Sequence, residues 1–264
     1  MTLLSVQGLT KSFGGIKAIT DLDLRIERGA VHSIIGPNGA GKTSLINMLS
    51  GIYRPDTGSI ALEGQELAGL PAHRFAAAGI GRTFQNLQVF FNMTALENVM
   101  TGRHLREQHS LAAALLRTRA LQRAEAEARQ AARELLRLVG LGGQDDARAD
   151  AMPYGALKRL EIARALAAQP RLLLLDEPAA GLNATEAREI DALIRRMAED
   201  GTTIVLVEHN MALVMEVSDH VVVLVQGRKL AEGTPLQVSR DAGVIEAYLG
   251  SPEPAAEEAE AAHA

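Results

Sequence analysis

One segment has the residue types and the spacing of a phosphate-binding loop. Residues 36–43 read Gly-Pro-Asn-Gly-Ala-Gly-Lys-Thr, which fits the pattern G-x-x-x-x-G-K-[ST] in full, between a strand pattern and a helix pattern. The glycines let successive backbone N–H groups converge on phosphate oxygens, and the following helix presents its positive N-terminus to the same anion. Lys42 can reach the β- and γ-phosphates, and the Thr43 hydroxyl can bind Mg²⁺. An ordinary glycine-rich turn needs neither the Lys-Thr pair nor the flanking elements, so we predict a nucleoside triphosphate site. Its predicted binding residues are Gly36, Pro37, Asn38, Gly39, Ala40, Gly41, Lys42, Thr43 and Ser44.

Two adjacent carboxylates supply the groups that hydrolysis would need. Asp176 and Glu177 follow the run Leu172–Leu175, and a buried parallel strand would carry them to its carboxyl end, where ligands of open α/β sheets bind. Asp176 can hold Mg²⁺ through water, and Glu177 can orient or deprotonate the attacking water. Either residue alone could simply open a loop after a strand. Together with the phosphate loop, the pair favours hydrolysis.

The patterns around these motifs predict an α/β fold. Alternation of apolar and polar residues in Leu4–Gly8 and Leu22–Ile26 is typical of an antiparallel layer with one wet face. Val31–Ile35 is a compact strand that leads into the phosphate loop. Leu172–Leu175 and Thr203–Val207 are apolar at nearly every position, which is typical of parallel strands covered on both faces.

A helical insertion is predicted inside this core, at about residues 94–168. Gly140 and Gly142 end its clearest helix pattern. The apolar residues at helical spacing are Leu121, Ala124, Ala128, Ala131, Leu135 and Val139. We therefore expect one domain over residues 3–250, with a core of about 3–93 and 169–250. Residues 251–264 contain prolines, alanines and four Glu without Lys or Arg, and are predicted to form a disordered acidic tail.

Composition excludes several classes of protein. The 264 residues contain 27 Lys and Arg against 32 Asp and Glu, and without the acidic tail the net charge of −5 becomes −1. No basic stripe of a nucleic-acid binder is evident, and the absence of Cys excludes disulfides, thiolate metal sites and a cysteine nucleophile. The apolar runs fall far short of the ~20 residues that span a bilayer. The N-terminus lacks the charged and apolar regions of a secretory signal. We expect a soluble, cytoplasmic protein.

In order and type, these motifs resemble those of the ATP-binding cassette (ABC) ATPases, from about residue 3 to 250. Gln85, in Arg-Thr-Phe-Gln, resembles the Q-loop glutamine that contacts Mg²⁺, and His209 resembles the switch histidine that meets the γ-phosphate. Phe13 stands where the family has an aromatic residue that stacks on adenine. Taken singly, these residues could be a surface amide, a satisfied histidine at a strand end and a core aromatic.

The resemblance implies a RecA-like phosphate-loop NTPase core with an N-terminal antiparallel β layer and an inserted helical subdomain. It further implies ATP and Mg²⁺ as cofactors. The catalytic residues would be Glu177, His209 and Gln85, and the Mg²⁺ ligands Thr43, Gln85 and Asp176.

The family's signature loop, usually Leu-Ser-Gly-Gly-Gln, departs from its pattern here. Residues 152–156 read Met-Pro-Tyr-Gly-Ala, so Pro153 replaces the serine that contacts the γ-phosphate across the dimer. The positive end of the following helix can still attract an anion. The residues implied to act in the partner's site are Pro153, Tyr154, Gly155 and Ala156.

In these departures the chain resembles the ATPases of branched-chain amino-acid importers. The length of its helical segment resembles that of their G-type subunit. That resemblance implies a second ATPase subunit, as a heterodimer or as a homodimer in isolation, two permease subunits and an extracytoplasmic solute-binding protein. It implies no nucleic-acid partner, and a peripheral place on the cytoplasmic face of the inner or plasma membrane. The family also imports urea, amides and aromatic acids.

Three alternatives stay open. One is the ATPase of another ABC transporter, such as lipopolysaccharide export, whose signature normally keeps Ser-Gly-Gly. A second is a soluble ABC protein that acts on ribosomes or DNA, although such proteins have two cassettes, long coiled coils or basic extensions. A third is an inactive nucleotide-binding regulator, which the set Asp176, Glu177 and His209 disfavours.

Overall fold

Two β-sheets and the helices between them make up the described part of the chain. The computed structural model describes residues 1–104, 106 and 119–249, so the predicted tail at 251–264 lies outside the described residues. The strands are β1 (Thr2–Phe13), β2 (Ile16–Glu27), β3 (Val31–Ile35), β4 (Thr57–Leu62), β5 (Gln65–Glu66), β6 (Ile80–Arg82), β7 (Leu172–Asp176), β8 (Thr203–Val207), β9 (His220–Val225) and β10 (Arg228–Gly233). The helices are α1 (Lys42–Leu49), α2 (Ala72–Ala78), α3 (Ala95–Thr101), α4 (Arg119–Leu138), α5 (Tyr154–Ala167), α6 (Ala184–Glu199), α7 (Met211–Val217), α8 (Pro235–Ser239) and α9 (Ala242–Leu249).

The first sheet is the predicted antiparallel layer. Its order is β2-β1-β4-β5, and every described pairing within it is antiparallel. Both long strands extend beyond the alternating segments that predicted them, to Thr2–Phe13 and Ile16–Glu27. Register shifts along β1 let these strands twist over the core. The expected layer is confirmed.

The second sheet contains the predicted parallel core, in the order β10-β9-β3-β8-β7-β6. The five strands from β9 to β6 are parallel, and β10 pairs antiparallel with β9. All residues of β3, β7 and β8 are buried, because both faces of the sheet are covered. The α/β fold class is therefore confirmed.

The central strands β7 and β8 divide their side chains between two hydrophobic clusters. Leu172 and Leu174 pack with the antiparallel sheet and α1, whereas Leu173 and Leu175 pack with the helices on the opposite face. The same alternation holds along β8. Because successive side chains of a strand point to opposite faces, one short run of leucines joins both halves of the core.

The described elements between residues 94 and 168 are helical, as predicted. α3 begins with a capping box in which Thr94 and Glu97 satisfy each other's backbone N–H groups. α4 ends at Leu138, just before the predicted stop. Part of the predicted insertion, residues 105 and 107–118, lies outside the described residues. The exact boundaries of the domain and its parts stay a prediction.

The buried face of α4 matches the predicted stripe in part. Ala128 and Val139 are buried as the spacing predicts, whereas Ala131 and Leu135 are only partly buried and their neighbours Ala132 and Leu136 are fully buried. α4 contacts both α3 and α5, so the small Ala132 faces its neighbours and permits a close approach. Alanines and leucines alternate around this helix, and periodicity alone could not fix its rotation.

A buried histidine lies at the start of the parallel sheet. His32 Nε2 accepts a hydrogen bond from the N–H of Glu27 (3.0 Å), and its ring meets the ring of His220 edge-on, with centroids 5.4 Å apart. Burial lowers the pKa of His32 from 6.5 to about 4, and His220 adds to this, while Asp219 and Glu27 oppose it. The folded protein therefore keeps His32 neutral at pH values where the unfolded chain binds a proton.

We expect the stability of the fold to fall as the pH drops from 6.5 towards 4, because protonation of His32 is then confined to the unfolded state. For His32 alone, the loss in the free energy of unfolding is about 3 kcal/mol. Denaturant titrations of His32→Gln should show a flatter pH dependence across this window. The exposed His73→Gln is the control and should follow the wild-type profile. Parallel profiles for wild type and His32→Gln would contradict this role for His32.

Candidate functional site

Four neighbouring parallel strands bring the predicted motifs to one edge of the sheet. The phosphate loop follows β3, Gln85 follows β6, Glu177 follows β7 and His209 follows β8. Because the carboxyl ends of parallel strands lie at the same edge, segments far apart in sequence meet there. The arrangement forms a single candidate nucleotide site.

Two glycines of the phosphate loop lie where no side chain fits. A Cβ atom on Gly36 would be 2.1 Å from the carbonyl oxygen of Leu224, and one on Gly41 would be 2.4 Å from that of Ala18. Their φ angles, 152° and 102°, also lie in the region that favours glycine. The loop is thus seated directly on the backbones of β2 and β9.

The C-terminal part of the chain contacts the same loop. The N–H of Gly227, in the turn between β9 and β10, donates to the carbonyl of Ala40 (3.0 Å). Burial raises the pKa of Tyr248 of α9, and an interaction with the backbone of Gly36 opposes this rise. No sequence pattern assigns Tyr248 a role, because nothing local indicates which distant loop an aromatic residue contacts.

Lys42 is held within the loop that precedes it. Its Nζ donates to the carbonyl oxygens of Gly36 (2.6 Å) and Pro37 (3.1 Å), and the residue is 9% exposed. Burial lowers the pKa of Lys42, and the nearby charge of Glu177 opposes this effect. α1 begins at Lys42 without a side-chain cap, so its first N–H groups are left for another acceptor. This geometry suits a bound phosphate.

Asp176 is paired with Arg82, a residue to which the sequence motifs assign no role. Its Oδ2 lies 2.9 Å from Nη2 of Arg82, and both side chains are buried. Burial raises the pKa of Asp176, whereas Arg82 lowers it. Arg82 also donates to Asn47 of α1 (2.6 Å) and to Ser50, the residue that follows α1 (2.8 Å). Arg82 therefore joins β6, β7 and the phosphate-loop helix, and the signal in the sequence was its place as the first residue of the Arg-Thr-Phe-Gln motif.

Gln85, Glu177 and His209 form the second part of the site. The Nε2 of Gln85 donates to Glu177 Oε2 (3.0 Å), and His209 Nδ1 lies 4.0 Å from Glu177 Oε1. Glu177 has a φ of 47°, which is unusual for a residue with a side chain. The buried residue before His209, Glu208, instead accepts backbone N–H groups, including that of Ala179 (3.3 Å), and so stabilises the loops.

Phe13 and part of the predicted signature loop lie at the surface. Phe13 is 42% exposed and its ring meets Tyr53 edge-on at 5.1 Å, so the alternative of a core aromatic is wrong. Pro153 caps α5, and Tyr154 is 44% exposed. Within the described residues, no hydrogen bond joins residues 153–156 to the phosphate loop. Pro153 and Tyr154 are accessible for a contact outside their own chain, whereas Gly155 and Ala156 are buried.

The predicted Mg²⁺ ligands have suitable chemistry. A hydroxyl, an amide oxygen and a carboxylate are the hard oxygen donors that Mg²⁺ prefers, and Gln85 uses its nitrogen, not its oxygen, towards Glu177. In the described ranges, no three His, Cys, Asp or Glu side chains group to hold a metal by themselves. A bound Mg²⁺ would therefore depend on phosphate oxygens as well, as is usual for this ion.

Comparison with known proteins gives the family. A family described as "ABC transporter" matches residues 19–180, and one described as "Branched-chain amino acid ATP-binding cassette transporter" matches residues 228–254. The chain belongs to the ABC transporter family. The expectation of an ABC-type ATPase is thereby confirmed.

Curated relatives of the cassette cover nearly its whole length. The high-affinity branched-chain amino acid transport ATP-binding protein BraF of Pseudomonas aeruginosa is 46% identical over 94% of this chain and 98% of its own. The corresponding LivG protein of Escherichia coli is 45% identical with the same coverage. The lipopolysaccharide export system ATP-binding protein LptB of Haemophilus influenzae is 32% identical over 95% of this chain and 98% of its own. The resemblance to the branched-chain branch is confirmed.

Solved structures confirm the fold. A nucleotide-free ATP-binding cassette from an ABC transporter has a TM-score of 0.82 at 30% identity, covering 95% of this chain and 100% of that one. A dimeric cassette in a post-hydrolysis state, bound to ADP and Pi, has a TM-score of 0.75 at 25% identity and covers 88% and 99%. Within the described part of this cassette, no helix is long and apolar enough to cross a membrane.

The seating of the phosphate loop predicts unequal effects of alanine at two of its glycines. Gly39 has a φ of 79° and open space where an alanine methyl would lie, so Gly39→Ala should cost only the left-handed strain of about 1–2 kcal/mol. Gly36→Ala adds a clash with the Leu224 carbonyl and should cost more. Denaturant unfolding of the two variants measures the difference. Equal losses would show that the loop is not seated against β9 as described.

Proposed function

We propose that this cassette hydrolyses ATP to energise an importer of branched-chain or other small hydrophobic amino acids or amides. The hydrogen bond from Gln85 to Glu177, at the sheet edge where the phosphate loop begins, carries the hydrolytic part of this proposal. The names of the relatives BraF and LivG, and the match of residues 228–254, support the substrate class.

In this proposal the phosphate loop binds the triphosphate. Lys42 exchanges its carbonyl partners for β- and γ-phosphate oxygens, and the N–H groups at the start of α1 donate to the same oxygens. The side chains of Thr43, Gln85 and Asp176 would hold Mg²⁺, which supplies positive charge to the phosphates when bound. The planar ring of Phe13 is exposed and would stack on adenine.

Glu177 then acts as the base. Its Oε2 is fixed by Gln85, and its Oε1 faces His209, so Oε1 is the oxygen that would accept the proton of the attacking water. His209, which is 64% exposed, would meet the γ-phosphate. Because Gln85 fixes one oxygen of Glu177, the other oxygen would hold the water in one orientation during attack.

A second ATPase subunit would complete the site. Pro153, Tyr154, Gly155 and Ala156, with the positive end of α5, would cover the phosphates bound to the partner. The dimeric cassette among the similar structures supports this arrangement. We propose a heterodimer in the transporter, with a homodimer possible for the isolated chain.

Two permease subunits would receive the cassette on the cytoplasmic face of the membrane, and an extracytoplasmic binding protein would deliver the solute. A largely apolar cavity of ≈ 260 Å³ lies between the sheet edge and the helical segment, beside the Gln85 loop. Its walls include Ile52, Ala76, Phe84 and Ala165. Apolar side chains of a permease segment would fit there, and their movement would reach Gln85 through its neighbour Phe84.

Lipopolysaccharide export is the second candidate, since LptB is a relative. The lower identity, 32% against 46% for BraF, and the match of residues 228–254 favour amino-acid import. Nothing in the described part of the site favours nucleic acid as a partner.

Glu177→Gln should bind ATP as tightly as the wild type but lose turnover by about 10²–10⁴-fold, because the amide cannot accept the proton of water. Phosphate release and nucleotide-binding titrations measure the two effects separately. The exposed Glu199→Gln on α6 is the matched control and should keep normal turnover. Near-normal hydrolysis by Glu177→Gln would rule out Glu177 as the base.

Solute specificity can be tested in the assembled transporter. We expect that the complex of this cassette with its permeases and binding protein hydrolyses ATP faster when a branched-chain amino acid is added. The effect should disappear with Glu177→Gln, because stimulation requires the same base. If none of the branched-chain amino acids stimulates phosphate release, the proposed substrate class is wrong, whereas the ATPase assignment would stand.

A further inference from the structure

Two charged side chains are buried in the helix that begins at the predicted signature loop. Lys158 and Glu161 of α5 are each only 2% exposed, among residues that pack into the core such as Leu157 and Leu160. A buried charge is costly unless it is paired and hydrogen-bonded. Their partners therefore indicate why apolar residues do not occupy these positions.

Both residues bind the backbone of the Gln85 loop. Lys158 Nζ donates to the carbonyl oxygen of Gln85 (3.1 Å). Glu161 Oε1 accepts from the N–H of Phe84 (3.2 Å) and from that of Gln88 (3.3 Å). Burial raises the pKa of Glu161, and the two N–H groups and Lys158 oppose this. A cation and an anion on one face of α5 thus hold the loop on both sides of Gln85.

The contacts continue in both directions from Lys158. Towards the site, Gln85 Nε2 donates to Glu177 Oε2 at 3.0 Å. Towards the start of α5, Lys158 Nζ lies over the ring of Tyr154, 5.8 Å from its centroid. A continuous set of contacts therefore runs from the signature loop to the proposed base.

We propose that Lys158 is a positioning residue, which together with Glu161 fixes the Gln85 loop to α5 and so holds Gln85 against Glu177. The inference rests on the proposed function for the role of Glu177. Its consequence is that the loop serving this cassette's own ATP and the helix serving the partner's ATP move as one unit. Lys158 itself touches neither nucleotide nor water in this role.

The neighbouring residue offers a matched comparison. Arg159 is also a cation on α5, but it pairs with Glu189 of α6 and makes no described contact with the Gln85 loop. A general need for positive charge on this helix would affect both positions equally. A positioning role would affect Lys158 alone.

A double-mutant cycle on the full chain tests the proposal. We expect Lys158→Met to lower kcat for Mg-ATP by about tenfold with little change in KM, as for other residues that orient a metal-contacting side chain. In the Gln85→Ala background the same substitution should have no further effect, because Gln85 is then no longer there to position. Arg159→Met should leave kcat near normal in both backgrounds. An unchanged kcat for Lys158→Met, or an effect that multiplies with that of Gln85→Ala, would overturn the proposal.

Hydrogen exchange gives a readout that does not depend on turnover. Lys158→Met should raise amide exchange in residues 84–88, whereas Arg159→Met should not, with similar thermal unfolding of both variants. Lys158→Arg, which keeps a donor, should restore both exchange and kcat. If Lys158→Met does not fold, the shorter and uncharged Lys158→Gln takes its place. If Lys158→Met leaves amide exchange in residues 84–88 unchanged, the positioning role is refuted. If exchange changes but the wild-type protein does not hydrolyse ATP, only the proposed function is refuted.

Discussion

The close contact of the phosphate loop with two other backbones is the constraint on which the site depends. Gly36 lies against the carbonyl of Leu224, Gly41 against that of Ala18, and Gly227 completes the contact from the β9–β10 turn. Side chains at these positions would push the loop off its seat. Since β2 comes early in the chain and β9 late, the seat of the loop is built from segments that lie far apart in the sequence.

The charges around this loop are arranged so that each buried cation already has an oxygen partner. Lys42 binds loop carbonyls, Arg82 binds Asp176, and Lys158 binds the carbonyl of Gln85. In a medium of low dielectric constant, an unpaired charge would destabilise the fold. Lys42 is held by neutral carbonyls, so a phosphate can replace them as a stronger partner.

Sequence patterns predict the parts of the site that depend on neighbours along the chain. The phosphate loop, Asp176 with Glu177 and the buried strands each show in a few consecutive residues. The pair Arg82–Asp176 spans 94 positions, and the contact of Lys158 with Gln85 spans 73, so no local pattern indicates them. The rotation of α4 was ambiguous because alanine occurs around much of the helix. What does indicate Lys158 and Glu161 is their charge at positions of α5 that the helical period places in the core.

The backbone of Glu177 has an evolutionary consequence. Its φ of 47° would cost glycine almost nothing, while a side chain there costs about 1–2 kcal/mol. A glycine at this position would thus make the protein more stable, but it would remove the carboxylate at the end of the strand. With Glu177 as the proposed base, selection for turnover would keep this chain away from its most stable sequence, and searches for heat-resistant variants would tend to replace the residue that the proposed chemistry needs.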